Sequence, residues 1–227
     1  MKLVLIVGAQ RSGGWLVQKA LGACGAWVGP TQYESADNRP IAEDIVQPFL
    51  RGISADPQGV WPLPQFEKHR GAVRQVVAAW RSRVLRSLDV QGADQSRLIC
   101  IGSQTSLHLS HIWNSAFQPE EIAFVVARRD EREIERSLVK CGVNAGGLQT
   151  WDAEKWRAWH DAHVAAMEEL RASGARVREV WPSTVIRDQR TDALESVATW
   201  LGLEWQPDRV SDAITPDLWR SGNFVQL

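Results

Sequence analysis

The sequence predicts an α/β fold: a P-loop-type parallel sheet flanked by helices on both faces, in a single domain spanning residues 1–227. Three observations carry that expectation. Residues 3–24 read as a strand, a glycine-rich turn and a helix. Further short apolar runs alternate with helix-patterned segments, the order a parallel sheet requires. No linker-like stretch or composition shift divides the 227 residues, a length that suits one large α/β domain.

Leu3-Val4-Leu5-Ile6-Val7 is a continuous apolar run with β-branched members, the pattern of a strand buried on both faces. Gly8-Ala9-Gln10-Arg11-Ser12-Gly13-Gly14 punctuates it. Trp15 to Ala23 follows at helical spacing through Leu16, Ala20 and Leu21, and Gly25 supplies a stop. Residues 28–40 are turn-rich. Ile41–Leu50 reads as a short helix strained near its end by Pro48. Residues 52–66 hold Gly52, Pro57, Gly59, Pro62 and Pro64 and read as a loop. Glu67 to Leu88 is a long amphipathic helix with Trp80, Val84 and Leu88 on one side.

Leu98–Ile101, closed by Gly102, is a short strand, and Thr105–Trp113 continues as a helix. Glu121–Ala127 is another buried strand. Asp130 then reads as a helix N-cap, with Glu133 at capping-box spacing. That helix runs to about Lys140, and Asn144–Gly147 is a loop. Trp151–Ala172 is a helix, Val177–Trp181 a strand interrupted by Pro182, and Thr191–Leu201 a helix ended by Gly202.

At 44% hydrophobic and 23% charged residues the composition is that of a soluble globular protein. A formal net charge of −1 gives no overall field toward nucleic acid or anionic lipid, so neither is expected as a partner. The apolar run Met1–Val7 is too short for a signal sequence or a membrane span, which points to a cytoplasmic location. Cys24, Cys100 and Cys141 lack any C-x-x-C spacing and read as buried free thiols rather than metal ligands. The twelve tryptophans have no fixed period and read as core or groove walls.

The glycine-rich turn carries the chemistry. Between a buried strand and a helix, such a turn points backbone N–H groups at an anion, and the helix dipole adds to the attraction. Gly8 and Gly13 have the spacing of the first two glycines in GxxxxGK[ST], but Gly14 and Trp15 follow in place of Lys and Ser/Thr. The ammonium and the Mg²⁺-binding hydroxyl of a nucleotide triphosphatase or small-molecule kinase are therefore missing, and no metal is expected. The cation is instead Arg11, inside the loop and followed by Ser12 and Gly13.

Gly-Ala-Gln-Arg-Ser-Gly after a strand resembles the 5′-phosphosulfate loop of sulfotransferases that use 3′-phosphoadenylyl sulfate (PAPS). A second segment, Phe124 to Leu138, resembles that family's other motif, in which an apolar strand ends in Arg-Asp-Pro and a serine follows on the next helix. Here Arg129 and Ser137 are eight residues apart, as in the family. With Asp130 opening the helix, Ser137 lies two turns along one face, where a hydroxyl and the Arg129 guanidinium can reach one phosphate. Arg128 substitutes if the register is one residue off, and Glu131 stands in place of the family proline.

The resemblance covers most of the chain in layout, as in Ala198-Thr199-Trp200-Leu201-Gly202-Leu203, but specific residues are confined to the two motifs. It implies PAPS as sulfuryl donor, held by Gln10, Arg11, Ser12, Gly13, Gly14, Trp15, Arg129 and Ser137. It also implies a small-molecule or glycan acceptor. Arg220-Ser221-Gly222 faintly resembles a further 3′-phosphate element.

Sulfuryl transfer needs a base for the acceptor proton, stabilisation of charge on the sulfuryl and phosphate oxygens, and alignment. Arg11 serves the second need. Among candidate bases, His108 and Glu43 lead, with His111 and Glu34 beside them; His160 and His163 read as packing or surface residues. The chain departs from the family where Gly14 and Trp15 replace loop hydroxyls and Gly102-Ser103-Gln104 replaces Lys-Asp-Pro. Two readings follow: a PAPS-dependent sulfotransferase, or a sulfotransferase-fold protein that binds without catalysis.

Overall fold

Four parallel strands, β1 (Lys2–Val7), β2 (Leu98–Gly102), β3 (Ile122–Ala127) and β4 (Val177–Val180), form one sheet in the order β2-β1-β3-β4. The computed structural model describes residues 1–30, 37–55, 70–140, 152–188 and 190–214. Helices α1 (Gly14–Ala23), α2 (Arg39–Ile41), α3 (Gln47–Gly52), α4 (Arg70–Val90) and α5 (Ser110–Ala116) precede β3, and α6 (Glu131–Lys140) and α7 (Ala153–Ala172) lie between β3 and β4. Then come α8 (Pro182–Asp188), α9 (Asp192–Trp200) and α10 (Pro207–Ala213).

The unbroken apolar strands are explained by burial on both faces. Leu3, Leu5 and Val7 of β1 point to one layer, with Trp80, Val84 and Leu88 of α4, Ile112 and Trp113 of α5, and Leu170 of α7. Val4 and Ile6 point to the other, with Leu16, Val17 and Leu21 of α1, Val185 of α8, Leu194 of α9 and Val210 of α10. The period of two in a strand divides one apolar run between two cores. Trp80 meets Phe49 and Trp113 edge-on, at centroid distances of 5.7 and 5.4 Å, so these tryptophans are core, as expected. Cys24 and Cys100 are buried free thiols, and burial pushes the Cys100 thiol up; Cys141 lies outside the described residues.

Three local expectations are revised. The helix expected over 41–50 forms as α2, a π-helical turn over Ala42–Val46, and α3. Pro48 sits at the start of α3, where its missing N–H is tolerated. The Asp44 carbonyl, deprived of its i+4 donor by that proline, accepts from the Arg83 guanidinium of α4. The helix expected over 105–113 breaks into a 3₁₀ turn (Gln104–Leu107) and α5. Its break is held by buried hydroxyls: Ser103 and Ser106 Oγ lie 2.6 Å apart, and Trp113 Nε1 donates to Ser106 Oγ at 2.9 Å. Pro182 opens α8 rather than interrupting a strand.

Register places the site. Ile6 lies opposite Gly102, Val7 opposite Val126, and Ala127 opposite Val180. The carboxyl ends of β1 and β3 are therefore level, and the segments after them start side by side. Because β1 is flanked by β2 on one side and β3 on the other, this is also where the winding of the sheet reverses, the usual ligand crevice of open α/β sheets. Among the described residues no helix is long and apolar enough to cross a membrane.

Candidate functional site

Gly8 leaves β1 at φ 141°, and a Cβ there would stand 2.5 Å from the Ala127 carbonyl oxygen. The turn thus packs directly onto the end of β3, an approach that only glycine permits. Ser12 N–H closes the turn on the Ala9 carbonyl at 3.1 Å, and Ser12 is buried. Gly13, at φ 92°, is the N-cap of α1; it offers no side-chain cap, and no acidic residue stands in the first turn. The positive end of the α1 dipole therefore faces no carboxylate from its own helix.

Arg11 adopts φ 67°, the left-handed region, which costs a residue with a Cβ about 1–2 kcal/mol. Contacts to the second motif hold it there. Arg11 Nε donates to Ser137 Oγ at 2.9 Å, and Arg129 donates from its terminal nitrogen to the Arg11 carbonyl at 3.0 Å. Arg129 Nε also donates to Glu133 Oε2 at 2.9 Å. Arg11, Arg129 and Ser137, expected to serve one ligand, converge across 126 and 118 residues of chain. Arg128 donates to Glu179 at 3.0 Å and lies 5.0 Å over the Trp181 ring. Of the two adjacent arginines, Arg129 is the one that meets the loop.

Asp130 caps α6, accepting from the N–H groups of Arg132 and Glu133 at 3.0 and 3.2 Å. The capping box is half formed: the Glu133 carboxylate goes to Arg129 and braces that guanidinium from its own helix. The α6 face behind the site is apolar, with Ile134 and Leu138 buried against Trp159 of α7 and Ala9 packed onto the cluster.

Beside this cluster is a cavity of 110 Å³, lined among others by Ala9, Leu107, Arg129, Trp159, His163 and Met167. His160, also on its wall, pairs with Glu131. His163 is buried, with Nδ1 2.9 Å from the Trp159 carbonyl, and its ring lies 4.1 Å from the Trp159 ring and 4.7 Å from that of His108. Burial lowers the pKa of His163 to about 4, against the opposing Trp159 hydrogen bond, and that of His108 to about 3 with help from His163. Both rings are neutral at pH 7.

The other expected residues fall as follows. His108 Nε2 is buried with no hydrogen-bond partner among the described residues, so the ring is enclosed rather than presented to a ligand. Burial likewise lowers the pKa of His111, opposed by Glu169. Glu43 is half-exposed, accepts from Arg39 Nε at 2.7 Å, and is not among the residues lining the cavity. Trp15 is partly buried, with the Lys19 ammonium 5.7 Å from its ring. The Gly102 carbonyl accepts from Asn38 N–H at 2.9 Å and brings no cation. Glu34 and residues 220–222 lie outside the described residues. His163, expected as a packing or surface residue, is buried in ring contacts on the side of α7 that also carries Trp156, Trp159 and His160. Glu133, expected only at capping-box spacing, braces Arg129, a contact its spacing did not announce.

No family model matches this chain, and no curated protein matches it in sequence. Solved structures match over nearly its whole length. The sulfotransferase domain from the Synechococcus PCC 7002 olefin synthase superposes with a TM-score of 0.55 at 15% identity, covering 100% of this chain and 89% of that one. The sulfotransferase domain from the curacin biosynthetic pathway gives 0.55 at 12% identity, covering 96% and 79%. Sulfotransferase STF9 from Mycobacterium avium gives 0.53 at 14% identity, covering 100% and 69%. The chain has the sulfotransferase fold.

Proposed function

We propose that this chain is a sulfotransferase that takes its sulfuryl group from PAPS and passes it to a hydroxyl or amine of a small molecule or glycan. The observation that carries the reading is the meeting of Arg11, Arg129 and Ser137 at the level ends of β1 and β3. Two guanidinium groups, a hydroxyl and an uncapped helix N-terminus form a donor set of the chemistry that phosphate and sulfate require. Arg129 and Ser137 would hold the 3′-phosphate. Arg11 and the loop around Gln10, Ser12, Gly13, Gly14 and Trp15 would hold the phosphosulfate. The donor supplies an activated S–O bond to phosphate, and the protein supplies alignment and positive charge. No group of three or more metal-ligating side chains occurs among the described residues, and the proposed chemistry uses none. The buried thiols Cys24 and Cys100 suit a reducing, cytoplasmic setting.

A second reading, a binding module without catalysis, is favoured by the absence of hydroxyls at Gly14 and Trp15 and of a cation at Gly102. Calorimetric titration with 3′-phosphoadenosine 5′-phosphate separates the readings. Binding is expected, weakened at least about tenfold by Arg129→Gln, since a hydrogen bond to a charged group contributes about 1.5–3 kcal/mol. Ser137→Ala should weaken it less, and Arg132→Gln, on the exposed side of α6, should leave it unchanged. No binding at all refutes the sulfotransferase reading. Normal binding without transfer to any acceptor establishes the second.

A further inference from the structure

We infer that a cleft at the amino end of the sheet is a second binding site, for a small organic anion with a flat apolar body. Its walls are the second half of α1, residues 26–30, Arg97 just ahead of β2, and α10. Its volume is about 840 Å³, within the range of small-molecule sites. The Gly8–Gly14 turn leaves the carboxyl end of β1, at the other end of the sheet. Gly22, on the cleft wall, lies about 12 Å along α1 from Gly14. The inference therefore does not depend on the donor site proposed above.

The charge of the walls is positive. Lys19, Arg97 and Arg209 face one carboxylate, Asp212. None of the three cations forms an ion pair among the described residues, in contrast to Arg81, Arg128 and Arg171, each paired with a glutamate. Arg97 is held in place by neutral partners. Its Nε donates to the Gly25 carbonyl at 2.8 Å and its Nη2 to the Ala26 carbonyl at 3.1 Å. These contacts orient the guanidinium without cancelling its charge, and Nη1 has no acceptor among the described residues. Asp94, which feels the Arg97 charge, is itself occupied by the N–H and hydroxyl of Ser96. A fixed guanidinium with two further cations beside it is a donor set for an anion.

The rest of the wall is apolar. Trp27 is pinned to β2: its N–H donates to the Leu98 carbonyl and its carbonyl accepts from Cys100, both at 2.8 Å. Its ring lies against the Gly29 backbone, where a Cβ would stand 2.7 Å from the ring edge. Glycine at φ 67° thus lets the chain cross the indole and keep it still. Ala23, Ala26 and Ala213 line the same cleft and take little room, so a planar group can lie beside the indole. A bare anion would leave this apolar surface uncovered. A neutral aromatic would leave the cations unused, and a sugar's hydroxyls would lose water there without partners.

The test uses the full chain, with 2-naphthoate as the probe. In nitrogen-15 NMR the Trp27 indole N–H, identified by its loss in Trp27→Phe, should shift as 2-naphthoate is added. The shift should occur equally with and without saturating 3′-phosphoadenosine 5′-phosphate. The Kd read from it should rise at least about tenfold in the Lys19→Gln, Arg209→Gln double variant, as loss of charged hydrogen bonds does. Both residues are exposed, and an unchanged Tm checks that the variant keeps its fold. 2-Naphthylmethanol, which lacks the charge, should bind the parent at least about tenfold more weakly, and Arg129→Gln should leave the 2-naphthoate Kd within about twofold. An unmoved Trp27 resonance, an unchanged Kd in the double variant, equal affinity for 2-naphthylmethanol, or competition by the nucleotide would each overturn the inference. Failure of the nucleotide to bind would strike the donor-site reading alone.

Discussion

Replacing Gly8 with alanine tests whether the turn is held against β3 as tightly as the geometry states. At φ 141° an L-residue is strained, at about 1–3 kcal/mol. The new methyl would also sit 2.5 Å from the Ala127 carbonyl oxygen and 3.0 Å from Ser12 Oγ. Neither neighbour retreats easily. Ala127 is the last residue of β3, in register with Val180, and Ser12 is buried. Relieving such an overlap costs about 1–3 kcal/mol more, as overpacking does. A loss near 3 kcal/mol is expected, about 6–12 °C in Tm for a domain of this size. Differential scanning calorimetry, paired with urea unfolding at unchanged m, measures it. Gly52→Ala is the matched comparison: it lies in α3, its Cβ would meet nothing within 4 Å, and it should be neutral or gain up to about 1 kcal/mol. A Gly8→Ala protein melting within about 2 °C of the parent would refute the close approach of turn and strand.

Two further expectations concern pH. Arg81, by a two-pronged hydrogen bond at 2.5 and 2.7 Å, and then the Gln118 N–H, hold the Glu121 carboxyl down at about 2. A depressed carboxylate stabilises the fold above its unfolded pKa and loses that contribution as pH falls from about 4.5 to 2, so Arg81→Gln should flatten the fall in Tm within that window. The neutral histidines act higher: the unfolded chain takes up protons near pH 6.5, while His163 and His108 resist until about 4 and 3. Stability is fully present above pH 6.5 and drains as pH falls below it. His108→Leu should reduce the slope between pH 6 and 4 by about 1.4 kcal/mol per pH unit, read from urea midpoints.

What the sequence disclosed followed from local patterns. The apolar run Leu3–Val7 specified a strand covered on both sides because a strand alternates its side chains, and the structure divides that run between two cores. Arg129 and Ser137 were legible as candidates because a strand end followed by a capped helix fixes where its first two turns project, and Arg11 because it stands inside a glycine-rich turn after a strand. Their mutual contact was not, because it depends on strand order and register, which no single segment encodes. Pro48 showed that a helix would be disturbed; that the disturbance is a π-helical turn, with Arg83 satisfying the Asp44 carbonyl, depends on a helix 39 residues away. His163 read as a packing or surface residue from helical periodicity, and the structure buries it. The cavity beside it comes from tertiary structure.

The position of β1 bears on how the chain is made. Of the four strands the first to be made is an interior one, and its hydrogen-bonding partners on either side begin only at Leu98 and Ile122. Until then a ribbon apolar from Leu3 to Val7 has two open edges, the condition under which nascent chains pair wrongly or need a chaperone. The Gly8–Gly14 turn cannot acquire its anchoring contacts before Arg129 and Ser137 have emerged. The final geometry of that turn is therefore a late event in biogenesis, reached only when the central strand is enclosed.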